Sequence, residues 1–133
     1  MKANELMIGD WISDGKNIAQ IVMITCDGII ETTFNESSNI ELIESISVTP
    51  EILERNGFLA NSHVYPYPYY EYEVKENKLK IGFAFPQGNR TSYKEPWICV
   101  DTECVYIEHL PCIFVHQLQQ VLRLCGIEKE IEL

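Results

Sequence analysis

Apolar and polar positions change rhythm along the chain, and the changes mark its elements. Residues 6–48 read as β. Gly9-Asp10 interrupts the chain before Trp11 and Ile12, and the polar residues 13–17, with Gly15, form a turn. Residues 18–25 are rich in Ile and Val, which suit a pleated surface. Asp27-Gly28 is a two-residue hairpin signal, because glycine accepts the positive φ such a turn needs. Residues 29–34 then form the return strand. A polar loop at 35–39 precedes residues 40–48, where Ile40, Leu42 and Ile46 share one parity. Short strands at this spacing predict a small SH3-like β-barrel or curled sheet.

Thr49-Pro50 opens a short helix: threonine caps free N–H groups and proline fits the first helical position. Ile52 and Leu53 give it an apolar side, and Asn56-Gly57 ends it. Residues 60–68 read as an extended or polyproline loop, with Pro66 and Pro68 between Tyr65, Tyr67 and Tyr69. Residues 69–75 and 79–85 are two strands around a polar turn at Glu76, Asn77 and Lys78, and Leu79, Ile81, Phe83 and Phe85 alternate cleanly. After a second loop at 86–96, residues 97–107 form a long third strand, completing an antiparallel meander. Phe114, Leu118, Val121, Leu122 and Cys125 then recur at helical spacing, Gly126 stops the helix, and the Glu-rich end trails off. The order predicts a single α+β domain over 1–133, with sub-regions 1–57 and 58–133 and the last helix packed across the meander.

The chain has 133 residues, 46% apolar and 23% charged, a mixture that buries a real core and excludes a disordered protein. No apolar run nears the roughly 20 residues of a membrane span. The opening reads as cytoplasmic rather than as a secretory signal. Net charge is −10, from 10 basic and 20 acidic residues. Phosphate backbones are held by Lys and Arg, so no nucleic-acid partner is expected. The cluster Lys75, Lys78, Lys80, Arg90 and Lys94 reads as a solvated hairpin edge.

Three segments, MKANELMIGDW, TPEILERNGF and VHQLQQVLRLCGIEKEIEL, resemble a family of small proteins from gut bacteria and their mobile elements. The resemblance implies a bacterial cytoplasmic origin and phage or transposon carriage. No established activity comes with it, and it transfers no catalytic residue. The stretch 59–111 carries no such likeness.

Cys99, Cys104, His109, Cys112 and His116 crowd together, and thiolate with imidazole is a zinc donor set. Their spacing argues against a metal site. On one continuous strand Cys99 and Cys104 point to opposite faces, and His109 sides with Cys99. No Cys-x-x-Cys pair is present, and Cys112 with His116, four apart on a helix face, supplies two ligands only. No metal and no cofactor is expected. The odd count of five cysteines suits reduced thiols. A small cysteine-dependent hydrolase or transferase, with Cys99 or Cys112 near His109 or His116, is the alternative function. Asp101 and Glu103 form a carboxylate pair that reads first as a solvated face.

Two features fit a surface for an unidentified protein partner. In the aromatic segment 64–72, VYPYPYYEY, alternate tyrosines bury one row and expose the other; Tyr65, Tyr67 and Tyr69 are the expected contact residues, and exposed tyrosine is a low-entropy contact residue. On the last helix His116, Gln119, Gln120 and Arg123 form a polar stripe opposite the apolar one, with Arg123 as its anchor. The first expectation is therefore a non-enzymatic protein-interaction or accessory module. An acidic DNA mimic is the third reading.

Overall fold

A computed structural model describes residues 5–13, 17–25, 29–33, 37–39, 44–76, 78–87 and 91–133, with backbone alone for 37–39. The fold is α+β, with two antiparallel sheets and two short helices. Contacts divide it into two compact units, Met1–Ser47 with Phe114–Glu130, and Val48–Ile113 with Ile131–Leu133. These boundaries differ from the expected sub-regions. The short helix belongs with the meander, and the last helix belongs with the N-terminal strands.

The first unit holds β1 (Trp11–Ser13), β2 (Ile18–Ile24), β3 (Ile29–Thr32) and β4 (Ser37–Asn39), paired in that order. Gly9, at φ +92°, lets the chain turn so that its N–H donates to the Ile21 carbonyl at 2.7 Å. Leu6, Ile12, Ile21 and Ile30 form the buried cluster beneath. The register slips between Ile21 and Met23, a bulge that bends and twists β2.

Among the described residues this sheet does not close into the expected barrel. A closing strand needs a continuous ladder, and residues 44–48, expected as strand, give only isolated bridges from Glu44 to Ser13 and from Ser47 to Phe114. Part of the expected polar loop is instead β4, whose backbone pairs with β3 at the sheet edge, where polar residues are tolerated. The expected turns at Asp27-Gly28 and residues 14–16, and the start of the strand at 40–43, lie outside the described residues.

Helix α2 (Val115–Leu124) completes this unit and touches β1. The Gln117 side chain accepts from the Phe114 N–H at 3.0 Å, satisfying a free donor at the start. At the end Gly126, at φ +74°, lets Ile127 N–H reach the Leu122 carbonyl and Gly126 N–H reach that of Arg123, a Schellman closure. Its packing corrects the expectation. Leu118 and Leu122 are buried, but Phe114, Val121 and Cys125 are only half-buried, while His116 and Gln119 are buried. Val115, Leu118, Gln119 and Leu122 stand at i, i+3, i+4 and i+7, so the inward face is turned toward the glutamine.

The second unit begins with α1 (Pro50–Arg55), as the sequence predicts. Thr49 Oγ1 accepts from Ile52 N–H at 3.3 Å, and Gly57, at φ +87°, makes a second Schellman closure with Phe58 N–H on the Leu53 carbonyl. Strands β5 (Leu59–Ala60), β6 (Tyr69–Val74), β7 (Leu79–Ala84), β8 (Trp97–Asp101) and β9 (Tyr106–Pro111) follow as a five-stranded meander. The expected long third strand is therefore two. Thr102 breaks it: its hydroxyl accepts from Val105 N–H at 2.9 Å and Cys104 N–H at 3.3 Å, and its N–H donates to the Val105 carbonyl.

Register places Leu79, Ile81 and Phe83 on one face of β7, with Ile98 beside them on β8, all buried. With Leu53 and Phe58 these side chains contribute roughly 1.5–3 kcal/mol each on burial. The C-terminal end does not trail off: Ile131 is buried, and Asn56 holds Glu132 through both backbone groups, at 2.7 and 2.8 Å. No helix among the described residues is long and apolar enough to cross a membrane.

Candidate functional site

The opposite face of the five-stranded sheet is built differently. Its cross-strand rows read Tyr69, Ala84, Trp97, Pro111 and Glu71, Gly82, Cys99. Gly82 and Ala84 make a trough in the central strand β7, and the large side chains of β6 and β8 lie over it. A Cβ on Gly82 would sit 1.9 Å from the Tyr69 hydroxyl and 2.6 Å from Cys99 Sγ, so the tyrosine occupies the space glycine leaves. Tyr69 and Cys99 share a hydrogen bond of 3.2 Å across it.

Trp97 is the centre of an aromatic cluster. Its ring meets Tyr65 edge-on at 5.3 Å, Tyr69 at 6.3 Å, Tyr93 at 6.3 Å and His109 at 4.5 Å. Tyr65 stacks on Tyr67 at 5.2 Å, and Tyr93 stacks nearly flat on His109 at 4.1 Å. A bulge brings His109 there. The β8–β9 register slips at Cys99, and His109 takes φ +59°, a left-handed conformation uncommon outside glycine. Each edge or offset ring pair adds about 0.5–1.5 kcal/mol beyond burial.

Two grooves open along this cluster. One, of about 380 Å³, is lined by Asn61, Tyr65, Pro66, Tyr67 and Pro68 among others. The second, of about 340 Å³, is lined by Tyr93, Lys94, Glu95, Pro96, Trp97 and His109 among others. Tyr65 lines the first and Trp97 the second, and the two rings meet edge-on. Trp97 is 2% exposed, and its indole N–H finds no acceptor among the described residues. An unmade bond of this kind costs about 1–3 kcal/mol.

The expected exposed row of Tyr65, Tyr67 and Tyr69 is not what forms. Tyr67 and Tyr69 are both buried, Tyr65 is half-buried, and Tyr93 is the exposed ring at 41%. The reason is the trough: Tyr69 fills it, and the loop carrying Tyr65 and Tyr67 folds onto Tyr69 and Trp97. Burial, with the neighbouring Cys99 next in weight, raises the Tyr65 phenol above its ordinary value; the Tyr69 phenol also rises, by burial and its bond to Cys99. Both stay neutral donors at physiological pH.

The polar stripe of α2 is not a free surface. Gln119 accepts from Trp11 N–H at 2.9 Å and donates to the Gly9 carbonyl at 3.1 Å. Gln120 donates to the Glu5 carbonyl at 2.8 Å and to Asp10 Oδ2 at 3.1 Å. Arg123 donates to Asp10 Oδ1 at 2.7 Å. The stripe thus holds the N-terminal segment, with the fully buried Asp10 carboxylate at its centre. His116 is buried and stacks on Phe114 at 5.7 Å; its Nδ1 has no partner among the described residues, and burial lowers its pKa.

The cysteine readings change too. Cys104 lies in the turn rather than on a strand with Cys99, Cys112 precedes α2 rather than lying on it, and Glu103 leaves Asp101 to pair with Lys78 at 2.6 Å. Burial raises the Cys99 thiol, outweighing its bonds from Tyr69 and Gly82, and pushes Cys112 up to about 12. Cys125 is also raised by burial. Groups of three or more His, Cys, Asp or Glu able to hold a metal are absent among the described residues.

Tyr93, Trp97 and His109 are the site residues that reasoning from sequence missed as a group. Their signal was present in Pro96-Trp97, an aromatic beside a proline as in the tyrosine segment. Comparison with protein-family models, curated proteins and solved structures gave no match to this chain.

Proposed function

We propose that this chain is a non-enzymatic protein-interaction module, with the Trp97-centred aromatic face as its contact surface. What carries the reading is the exposed Tyr93 ring, stacked on His109 at 4.1 Å, beside two grooves lined by aromatic residues. Interface hot spots are rich in Trp and Tyr. Tyr65, Tyr67 and Tyr69 keep their place as wall and floor of this surface. The helix stripe, consumed by its own unit, loses its place as the second choice. Raised cysteine pKa values oppose the hydrolase alternative, because the thiolate is the nucleophile. The resemblance at both ends supports a bacterial cytoplasmic, mobile-element setting. The bulged β2 supports an SH3-like curl in the first unit.

The test is capture of a partner from a related bacterial host by the tagged protein and by Tyr93→Ala. Tyr93 is exposed, so its removal spares the core. A stoichiometric partner retained by the wild type and lost by Tyr93→Ala is the expected result. A partner retained equally by both removes this face from consideration.

A further inference from the structure

We infer that Asn56 is a modification site: it deamidates when the segment Ile131–Leu133 lifts away from it, and the product does not take the segment back. This stands apart from the aromatic face. Asn56-Gly57 is the single Asn-Gly pair of the chain. In such a pair the glycine nitrogen, unshielded by a side chain, attacks the asparagine side-chain carbon. A new N–C bond closes a succinimide ring. The amide nitrogen leaves as ammonia, and the proton given up by the glycine nitrogen is returned to it through base and water. Water then opens the ring, leaving aspartate or isoaspartate.

The fold locks both reacting groups. Asn56 is 2% exposed. Its Nδ2 donates to the Ile52 carbonyl at 2.7 Å and to the Glu132 carbonyl at 2.8 Å, and its Oδ1 accepts from Glu132 N–H at 2.7 Å. Gly57 N–H is engaged too, on the Glu54 carbonyl at 3.2 Å. Two of the three side-chain bonds therefore end on Glu132, next to the buried Ile131. No helix or strand includes residues 127–133, so the segment can open without breaking a ladder. Asn56 then keeps its bond to Ile52 and regains water and room to turn.

The product cannot restore the lock. An aspartate has no N–H to give, so its carboxylate faces the Ile52 and Glu132 carbonyls as acceptor against acceptor. Isoaspartate adds a backbone carbon before Gly57 and displaces the closure in which Phe58 N–H meets the Leu53 carbonyl at 3.0 Å. Release is one-way, and the space filled by Ile131 stays open.

The experiment holds the full chain at mildly alkaline pH and follows Asn56 by peptide mapping. Asn61-Ser62 is the internal reference, and a peptide of residues 50–62 gives the unlocked rate. Asn56 in the folded chain should react about tenfold or more slowly than in the peptide, and Ile131→Ser should recover most of that rate with Asn61 unchanged. Asn56→Asp, made directly, should lose hydrogen-exchange protection at the Glu132 amide. Equal rates in folded chain and peptide, or equal rates in Ile131→Ser and wild type, overturn the inference. So does a Glu132 amide that stays protected in Asn56→Asp. If Ile131→Ser speeds Asn61 in step, that variant has unfolded, and the milder Ile131→Val is read against the same two criteria.

Discussion

Replacing Asp10 by alanine should weaken the first unit by about 2–4 kcal/mol. The carboxylate is fully buried and accepts from Met7 N–H at 2.8 Å, Gln120 Nε2 at 3.1 Å and Arg123 Nη1 at 2.7 Å. Breaking a buried ion pair costs about 3–5 kcal/mol when the remaining charge is trapped. Here the remaining charge is Arg123, whose side chain is 34% exposed and regains water, so the cost is discounted. Arg123→Ala instead leaves a buried carboxylate with two neutral donors, and a loss of similar size is expected. The double variant should show about 1–3 kcal/mol of coupling, since the pair is in direct contact. Native-state hydrogen exchange at the α2 amides reads this unit on its own. A loss under about 1 kcal/mol, or two single effects that simply add, would show the pair to be an ordinary surface bridge and refute this account.

Three further outcomes follow from named contacts. Burial lowers the His116 pKa below its usual 6.5, despite the opposing charges of Asp10 and Glu5. The unfolded chain therefore binds the proton first, and stability present above pH 6.5 is lost as pH falls toward the folded pKa. Unfolding of wild type and His116→Gln between pH 5 and 8 should diverge on the acid side, and parallel curves would exclude His116 as the cause. Iodoacetamide with peptide mapping should label exposed Cys104 well before buried Cys99 and Cys112, and early labelling of either buried thiol would revive the cysteine-enzyme reading. Gly82→Ala should cost about 1–3 kcal/mol by driving Tyr69 out of the trough, measured as a lower melting temperature. Adding Tyr69→Ala should recover part of that loss, and a purely additive double variant would exclude the clash as its source.

What was legible in the sequence was local. Thr49-Pro50 and Asn56-Gly57 mark α1 because capping and left-handed turns are decided by the residues themselves. Gly126 marks the end of α2 for the same reason. Alternation on β7 was equally plain. What was not legible depended on partners distant in the chain. Residues 97–107 look continuous as strand until Thr102 bonds back to Val105. Gln119 and Gln120 read as solvent-facing until Gly9, Trp11 and Glu5, more than 100 residues away, supply their partners. The site was half legible. The tyrosine segment stood out, but Gly82, which decides where Tyr69 lies, reads as an ordinary weak point in a strand.

Hydrogen bonds already made inside the protein separate the two surfaces proposed for a partner. Gln119, Gln120 and Arg123 are polar groups whose bonds are made inside the first unit, so engaging them would first require breaking those bonds. A partner there would gain little net free energy, because it exchanges one set of bonds for another. Trp97 is in the opposite position. Its N–H lost its water on burial and gained no acceptor among the described residues, so that desolvation is already spent in the free protein. Trp97 itself is enclosed, so contact with a partner falls to the exposed Tyr93 ring stacked on His109. The flat walls beside it offer apolar contact at small entropic cost, since each of these rings turns about only two side-chain bonds. That asymmetry favours the aromatic face over the helix stripe.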